Sequence, residues 1–279
     1  MITDQPSSTI APRRPIVCYH GGKWVLAPWI ISHFPPHRIY VEPFGGGGSV
    51  LLRKSRCFAE IYNDLDGEIV NVFRVARDHG PELLRRMELT PFSRAEFFDS
   101  YEPTEDPIEQ ARRTIFRSFA GFGSDAASTR SKTGFRSNLN RSGTTPVHDW
   151  MNLPDAMALV IERLRGVVIE QRDATEVMTR HDREDALHYV DPPYVHSTRV
   201  RVDSCRGYRH EMTDEQHRTL AAFLQTLRGG VIVSGYACAL YEELFAGWRR
   251  VERKALAAGA RARTEVLWLR NIKEDFFSQ

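Results

Sequence analysis

The amino-acid sequence predicts an α/β fold built on a mostly parallel sheet. Three observations carry that prediction. Short apolar runs with strand character alternate with amphipathic helical segments near both ends of the chain, the first such run opens onto four consecutive glycines, and another stops abruptly at two prolines. With 279 residues, 42% of them hydrophobic, the chain can bury the core of one large domain or of a domain carrying an insertion.

Taken in order, Arg38 to Glu42 reads as a buried strand running into Pro43 and Gly45 to Gly48, with a short helix through Val50, Leu51 and Leu52. A second strand, Glu60 to Tyr62, ends at Asn63 and Asp64, and an amphipathic helix through Ile69, Val70, Val72 and Phe73 follows. Further strands are expected at Val167 to Glu170, Leu187 to Val190, Val231 to Ser234 and Val266 to Leu269. Between the last-but-two and last-but-one of these, Thr213 with Gln216 three residues on forms a capping box that opens a helix.

From about Arg77 to Pro154 the alternation stops. The stretch reads as helical to about Phe119 and then becomes rich in Gly, Ser, Thr and Asn, so it is expected to be an insertion whose segment Gly121 to Thr145 forms a recognition loop or hairpin. Net charge is only +2, yet between Arg112 and Arg141 seven basic residues face one acid, Asp125, a local charge of +6. Such a segment suits phosphate contacts or, alternatively, is a solvated loop. Phe116, Phe119, Phe122 and Phe135 are interleaved with it and suit either base contacts or local core.

The chemistry-bearing positions lie at strand ends. A glycine run between a strand and a helix lets a ligand approach the backbone beside a helix N-terminus. Asp64, at the end of the next strand, stands where nucleoside-binding folds put a carboxylate for ribose hydroxyls, and would serve equally as a helix N-cap. Asp191-Pro192-Pro193-Tyr194 follows the apolar strand directly. Two prolines remove two backbone donors, so a carboxylate and an outward carbonyl remain as paired acceptors for an amino group, with an aromatic ring to stack beside it.

These residues resemble the Dam-like class of adenine-N6 DNA methyltransferases, particularly relatives encoded by phages and prophages. Tyr19 to Trp29 is similar to the family's N-terminal cofactor motif, Glu42 to Val50 to its glycine loop, Asn63-Asp64 to its acidic ribose position, and Asp173-Ala174 to the segment near the cofactor adenine. Asp191 to Tyr194 matches its catalytic tetrapeptide, and Ser234 to Tyr236 and Thr264 to Asn271 resemble its closing motifs, all in the family's order.

The resemblance implies a Rossmann-like methyltransferase fold with an inserted, mostly helical target-recognition subdomain, the catalytic domain comprising 1–76 and 155–279 and the subdomain 77–154. S-adenosylmethionine is then held by Tyr19, Lys23, Phe44, Gly45, Gly46, Gly48, Asp64 and Asp173. An adenine flipped from double-stranded DNA would meet Asp191, Pro192, Pro193 and Tyr194, and its methylation needs no metal. Arg117, Arg130, Lys132, Arg136, Asn138, Asn140 and Arg141 are the expected nucleic-acid contacts. The segment Thr133 to Gly143 departs from the family's hairpin pattern, so the resemblance does not carry specificity for GATC.

Other readings are a cytosine-N4 or protein methyltransferase, which more often carry Ser or Asn in place of Asp191, and a catalytically idle DNA-binding relative. A dinucleotide oxidoreductase leaves the tetrapeptide without a role. No run approaches the length of a membrane span, Met1 to Arg14 lacks the apolar centre of a signal peptide, and Cys18, Cys57, Cys205 and Cys238 form no paired motif. A cytoplasmic, monomeric enzyme with reduced thiols is expected, with roles in restriction-modification or in protecting phage DNA from restriction.

Overall fold

The computed structural model describes residues 11–123, 132–137, 145–195, 209–257 and 261–272. The strands are β1 (Ile39–Glu42), β2 (Ala59–Asn63), β3 (Val167–Glu170), β4 (Ala186–Val190), β5 (Gly230–Tyr236), β6 (Arg249–Ala257) and β7 (Arg261–Arg270). They form one sheet in the order β3-β2-β1-β4-β5-β7-β6, parallel from β3 to β5 and antiparallel through β7 and β6. Each strand expected from the sequence is present.

The expectations missed β6. Its residues Arg249, Arg250, Glu252, Arg253 and Lys254 hide the apolar alternation, and that charge suits a strand on the sheet's edge, where it discourages pairing with another chain.

Alternation along the strands divides the core in two. Tyr40, Tyr62, Leu187, Tyr189, Ile232 and Leu267 join one apolar cluster, while their neighbours Val41, Ile61, Val190, Val231, Val233, Val266 and Trp268 join the other. The first is covered by α1 (Ala27–Ile31), α2 (Ser49–Arg53), α3 (Gly67–Asp78), α4 (Gly80–Glu88), α5 (Arg94–Asp99), α6 (Pro107–Ala120), α7 (Pro146–Met151) and α8 (Leu153–Leu164). The second is covered by α9 (Ala174–His181), α10 (Asp214–Leu224) and α11 (Ala239–Leu244).

Local signals set the helix starts. The capping box at Thr213 and Gln216 opens α10 as expected. For α3 the N-cap is Asp66, whose carboxylate accepts the Glu68 N–H at 3.0 Å, so Asp64 is not the cap. Asp106 caps α6 with Pro107 in its first turn.

The insertion is helical through α4, α5 and α6, as its periodicity suggested, and these helices share the first cluster with α3. Phe116 and Phe119 of α6 are core residues at 0% and 4% exposure, each worth about 1.5 to 3 kcal/mol of burial. Beyond α6, Phe122 N–H donates to Gly134 O at 2.9 Å and Arg136 N–H to Ala120 O at 2.8 Å, an antiparallel contact at the base of the expected hairpin.

Candidate active site

Strand order reverses between β1 and β4, which have crossovers to opposite faces, and a crevice opens beyond their carboxyl ends. A cavity of about 470 Å³ lies there, of a size suited to a small-molecule cofactor. Both chemistry-bearing motifs empty into it, because β1 ends at Glu42 and β4 at Val190.

One wall is the glycine turn. Gly45 N–H donates to Asn63 O at 2.8 Å, Gly48 N–H to Gly45 O at 2.8 Å, and Gly46 N–H to Asp64 Oδ2 at 2.8 Å. Gly46 and Gly48 have φ of 47° and 60°, the left-handed region that glycine adopts without strain. At Gly45 the reason is space: an added Cβ would lie 2.2 Å from the Tyr62 ring, which stacks on Phe73. Gly45 and Gly46 line the cavity with Tyr19, Lys23, Phe44, Asp64 and Asp173, whereas Gly48 is turned into α2 as its N-cap.

Two carboxyls stand on this wall, Glu42 buried and Asp64 half-buried. Burial lifts the Asp64 pKa to about 6, against hydrogen bonds from the Asp66 and Gly46 amides. Burial lifts Glu42 further, to about 8, against the Tyr40 hydroxyl and the Leu51 amide that donate to its Oε2 at 2.7 and 2.9 Å. Asp173 is the N-cap of α9, accepting from the Thr175 amide at 2.8 Å. The glycine turn, the carboxyls and the rings of Tyr19 and Phe44 together fit a nucleoside-bearing cofactor.

The facing wall is a charged cluster. Ser234 Oγ of β5 donates to Asp191 Oδ1 at 2.7 Å, and Tyr189 and Ser234 share a hydroxyl bond at 2.9 Å. Lys23 Nζ lies 3.0 Å from the same Asp191 oxygen, 3.2 Å from Glu265 Oε1 of β7, and donates to the Tyr194 hydroxyl at 2.6 Å. Burial disfavours the Lys23 charge, but Asp191 and Glu265 outweigh it and hold the ammonium pKa well above its ordinary value. Tyr194 stacks on Tyr236 with ring centroids 4.6 Å apart. Asp191 and Pro193 line the cavity, and Pro192 and Tyr194 adjoin them without contributing to its lining.

A family model described as D12 class N6 adenine-specific DNA methyltransferase matches residues 19–258. The chain belongs to this family. Similar proteins include the DNA adenine methylases of Salmonella typhi and Salmonella typhimurium strain LT2, each 24% identical over 244 residues, covering 83% of this chain and 84% of the relative. The methyltransferase thus methylates adenine N6 in DNA, with S-adenosylmethionine as the donor its family implies.

The expected DNA contacts of the methyltransferase separate by burial. Arg117 is only 6% exposed: its guanidinium is 2.6 Å from Glu68 and donates to Ser100 O, so it is spent on bracing α6 against α3, against the expectation of a DNA contact. Lys132 is exposed, and Arg136 is half-buried with its guanidinium 3.3 Å from Phe119 O. Arg130, Asn138, Asn140 and Arg141 lie outside the described residues.

Four residues of the methyltransferase site had no individual role in the sequence reading: Glu42, Ser234, Glu265 and Arg209. Arg209 lines the cavity and pairs with Asp66 at 3.1 Å and Glu68 at 2.7 Å. The first three sat inside segments that matched family motifs, but what marks each is its burial and the group it meets: Tyr40 and Leu51 for Glu42, Asp191 for Ser234, and Lys23 for Glu265. Among the described residues, no helix is long and apolar enough to cross a membrane and no acidic, His or Cys group could hold a metal.

Proposed function

We propose that the cavity between the glycine turn and the Asp191 cluster binds S-adenosylmethionine and presents it to an adenine flipped out of duplex DNA. The carrying observation is the state of Asp191. Its Oδ1 is occupied by Ser234 and Lys23 while Oδ2 has no hydrogen bond among the described residues, and Asp191 lines the cavity. A carboxylate so held accepts one amino hydrogen, and the Pro192 carbonyl is suited to accept the other. The nitrogen lone pair is thereby directed towards the methyl group, which the sulfonium cofactor supplies in electrophilic form.

In this reading Asp64 receives the ribose hydroxyls through the carboxylate lone pairs left after Gly46 and Asp66, and Phe44 and Asp173 border the adenine of the cofactor. Tyr194, held by Lys23 and Tyr236, offers its ring to the target base. The acceleration comes from orientation and from fixed charge in a site shielded from water.

Residues 77–154 act as the target-recognition subdomain on a catalytic domain of 1–76 and 155–279, and Arg130, Lys132, Arg136, Asn138, Asn140 and Arg141 supply its DNA contacts. The enzyme works as a cytoplasmic monomer. Its mark protects phage or plasmid DNA from restriction, a reading supported by the phage-like motif resemblance; DNA from cells expressing the gene should then resist at least one restriction enzyme.

Transfer of label from S-adenosylmethionine to unmethylated duplex DNA, followed by nucleoside mass spectrometry, tests the site assignment. Wild type should yield N6-methyladenine and Asp191→Ala none, with cofactor binding retained. Undiminished methylation by the variant would remove Asp191 from the chemistry.

A further inference from the structure

Glu265 is an expensive residue where it stands. It occupies β7 in register with Tyr236 of β5 and Arg253 of β6, is 1% exposed, and is followed by the buried apolar residues Val266, Leu267, Trp268 and Leu269. A buried carboxylate costs several kcal/mol unless it is paired. Its Oε1 has no well-aligned hydrogen bond, and its charge is met by Lys23 Nζ at 3.2 Å. That ammonium already serves Asp191 at 3.0 Å and Tyr194 at 2.6 Å. Burial and the neighbouring Asp191 raise the Glu265 pKa against the pull of Lys23; with both acids ionised the cluster holds two carboxylates and one ammonium, a net charge of −1, beside the cavity.

We propose that Glu265 is a positioning residue for methyl transfer: by holding Lys23 against Asp191 Oδ1 it aims Oδ2 at the substrate amino group and keeps the cluster one negative charge in excess. The inference rests on Asp191 as the amino-group acceptor. During transfer a bond forms between N6 and the methyl carbon, the carbon–sulfur bond breaks with its electron pair remaining on sulfur, and N6 sheds one proton. That proton passes to Asp191 Oδ2, and the cluster becomes neutral. Without Glu265 the cluster would begin neutral, and proton uptake would leave a buried net positive charge.

The groups facing Glu265 are Lys23 from the N-terminal loop, Tyr189 of β4, Asp191 beyond it, and Tyr236, its register partner on β5; Arg253, opposite on β6, is exposed. Replacing Glu265 by glutamine removes one negative charge from the cluster around Lys23, so proton uptake by the cluster as a whole moves to lower pH.

Single-turnover methylation by the full-length chain across pH, with calorimetric cofactor binding and thermal unfolding, tests this. Glu265→Gln should slow transfer about ten- to a hundredfold and move the acidic limb of the pH profile about one unit lower. Cofactor affinity should stay within about twofold, since Glu265 does not itself line the cavity. Glu265→Gln added to Lys23→Met should cost nothing further. A wild-type rate and limb in Glu265→Gln, or a slowing equal at every pH and additive with Lys23→Met, overturns the proposal. If Glu265→Gln fails to fold, Glu265→Asp decides: slower transfer with an unmoved limb supports the role, and an unchanged rate overturns it. Full activity in Asp191→Ala would instead sink the underlying reading of Asp191, whereas inactive Asp191→Ala beside fully active Glu265→Gln sinks only this one.

Discussion

In the inserted helices, buried charges are turned on one another. Arg112 meets Glu96 and Glu109 at 2.6 Å each and Thr90 at 3.0 Å, and Arg117 meets Glu68 and the Ser100 carbonyl. At the carboxyl ends of β1 and β4, carboxyls are only partly answered: Asp191 keeps one oxygen unbonded among the described residues, and buried Glu42 keeps both its donors on Oε2. Charges paired with one another brace a scaffold, and a carboxyl with an oxygen left open beside a cavity is poised to meet a ligand. A count of arginines cannot separate the two; their partners can.

The largest expected effect breaks the pocket side of this contrast. Asp191→Ala should lower the rate of adenine methylation by about a thousandfold while cofactor affinity is retained, read by label transfer and calorimetry. Retained activity would mean that the open oxygen is not the one the substrate uses.

Next comes Glu42, where the contrast is expressed as pH dependence. Its folded pKa of about 8 lies above the ordinary 4.5, so the native state holds the proton more tightly than the unfolded chain. Its contribution to stability is complete below pH 4.5 and is lost as pH rises to about 8. Glu42→Gln keeps an acceptor for Tyr40 and Leu51 without that loss. In urea titrations it should gain stability over wild type on the order of 3 kcal/mol at pH 9, and nothing at pH 4.

The insertion gives the two smaller effects, which should dissociate. Arg117→Met should lower stability by about 3 kcal/mol, since it strands buried partners, and leave the salt dependence of DNA binding unchanged. Lys132→Ala should do the reverse: stability within about 0.5 kcal/mol, and a slope of log affinity against log salt smaller by about one. If Arg117→Met also reduced the slope, its guanidinium would reach DNA after all.

Local signals were legible where they are short in range. The capping box at Thr213, the strands ending at Glu42 and Val190, and the glycine turn all follow from neighbouring residues and are present. The sequence misplaced the cap of α3 by two residues, because Asp64 and Asp66 are equally able caps and only the tertiary bond from Gly46 claims Asp64. It read Arg117 as a DNA contact because a helix face shows its charge but not what lies opposite. Edge strand β6 escaped for the opposite reason, its solvent-facing charge masking its pairing with β7.

By itself, then, the sequence determined the order of strands and helices, the residue chemistry of the glycine turn and the Asp-Pro-Pro-Tyr turn, and the resemblance that named the reaction. Tertiary structure alone decided which charges those turns would meet. Lys23, Asp191, Ser234 and Glu265 come from four separate stretches of chain, and Ser234 meets Asp191, Asp191 meets Lys23 and Lys23 meets Glu265 at 2.7, 3.0 and 3.2 Å because β4, β5 and β7 lie side by side. Periodicity and capping are set over a few residues, whereas burial and pairing of charge depend on contacts between segments more than 150 residues apart, and only the folded sheet specifies those.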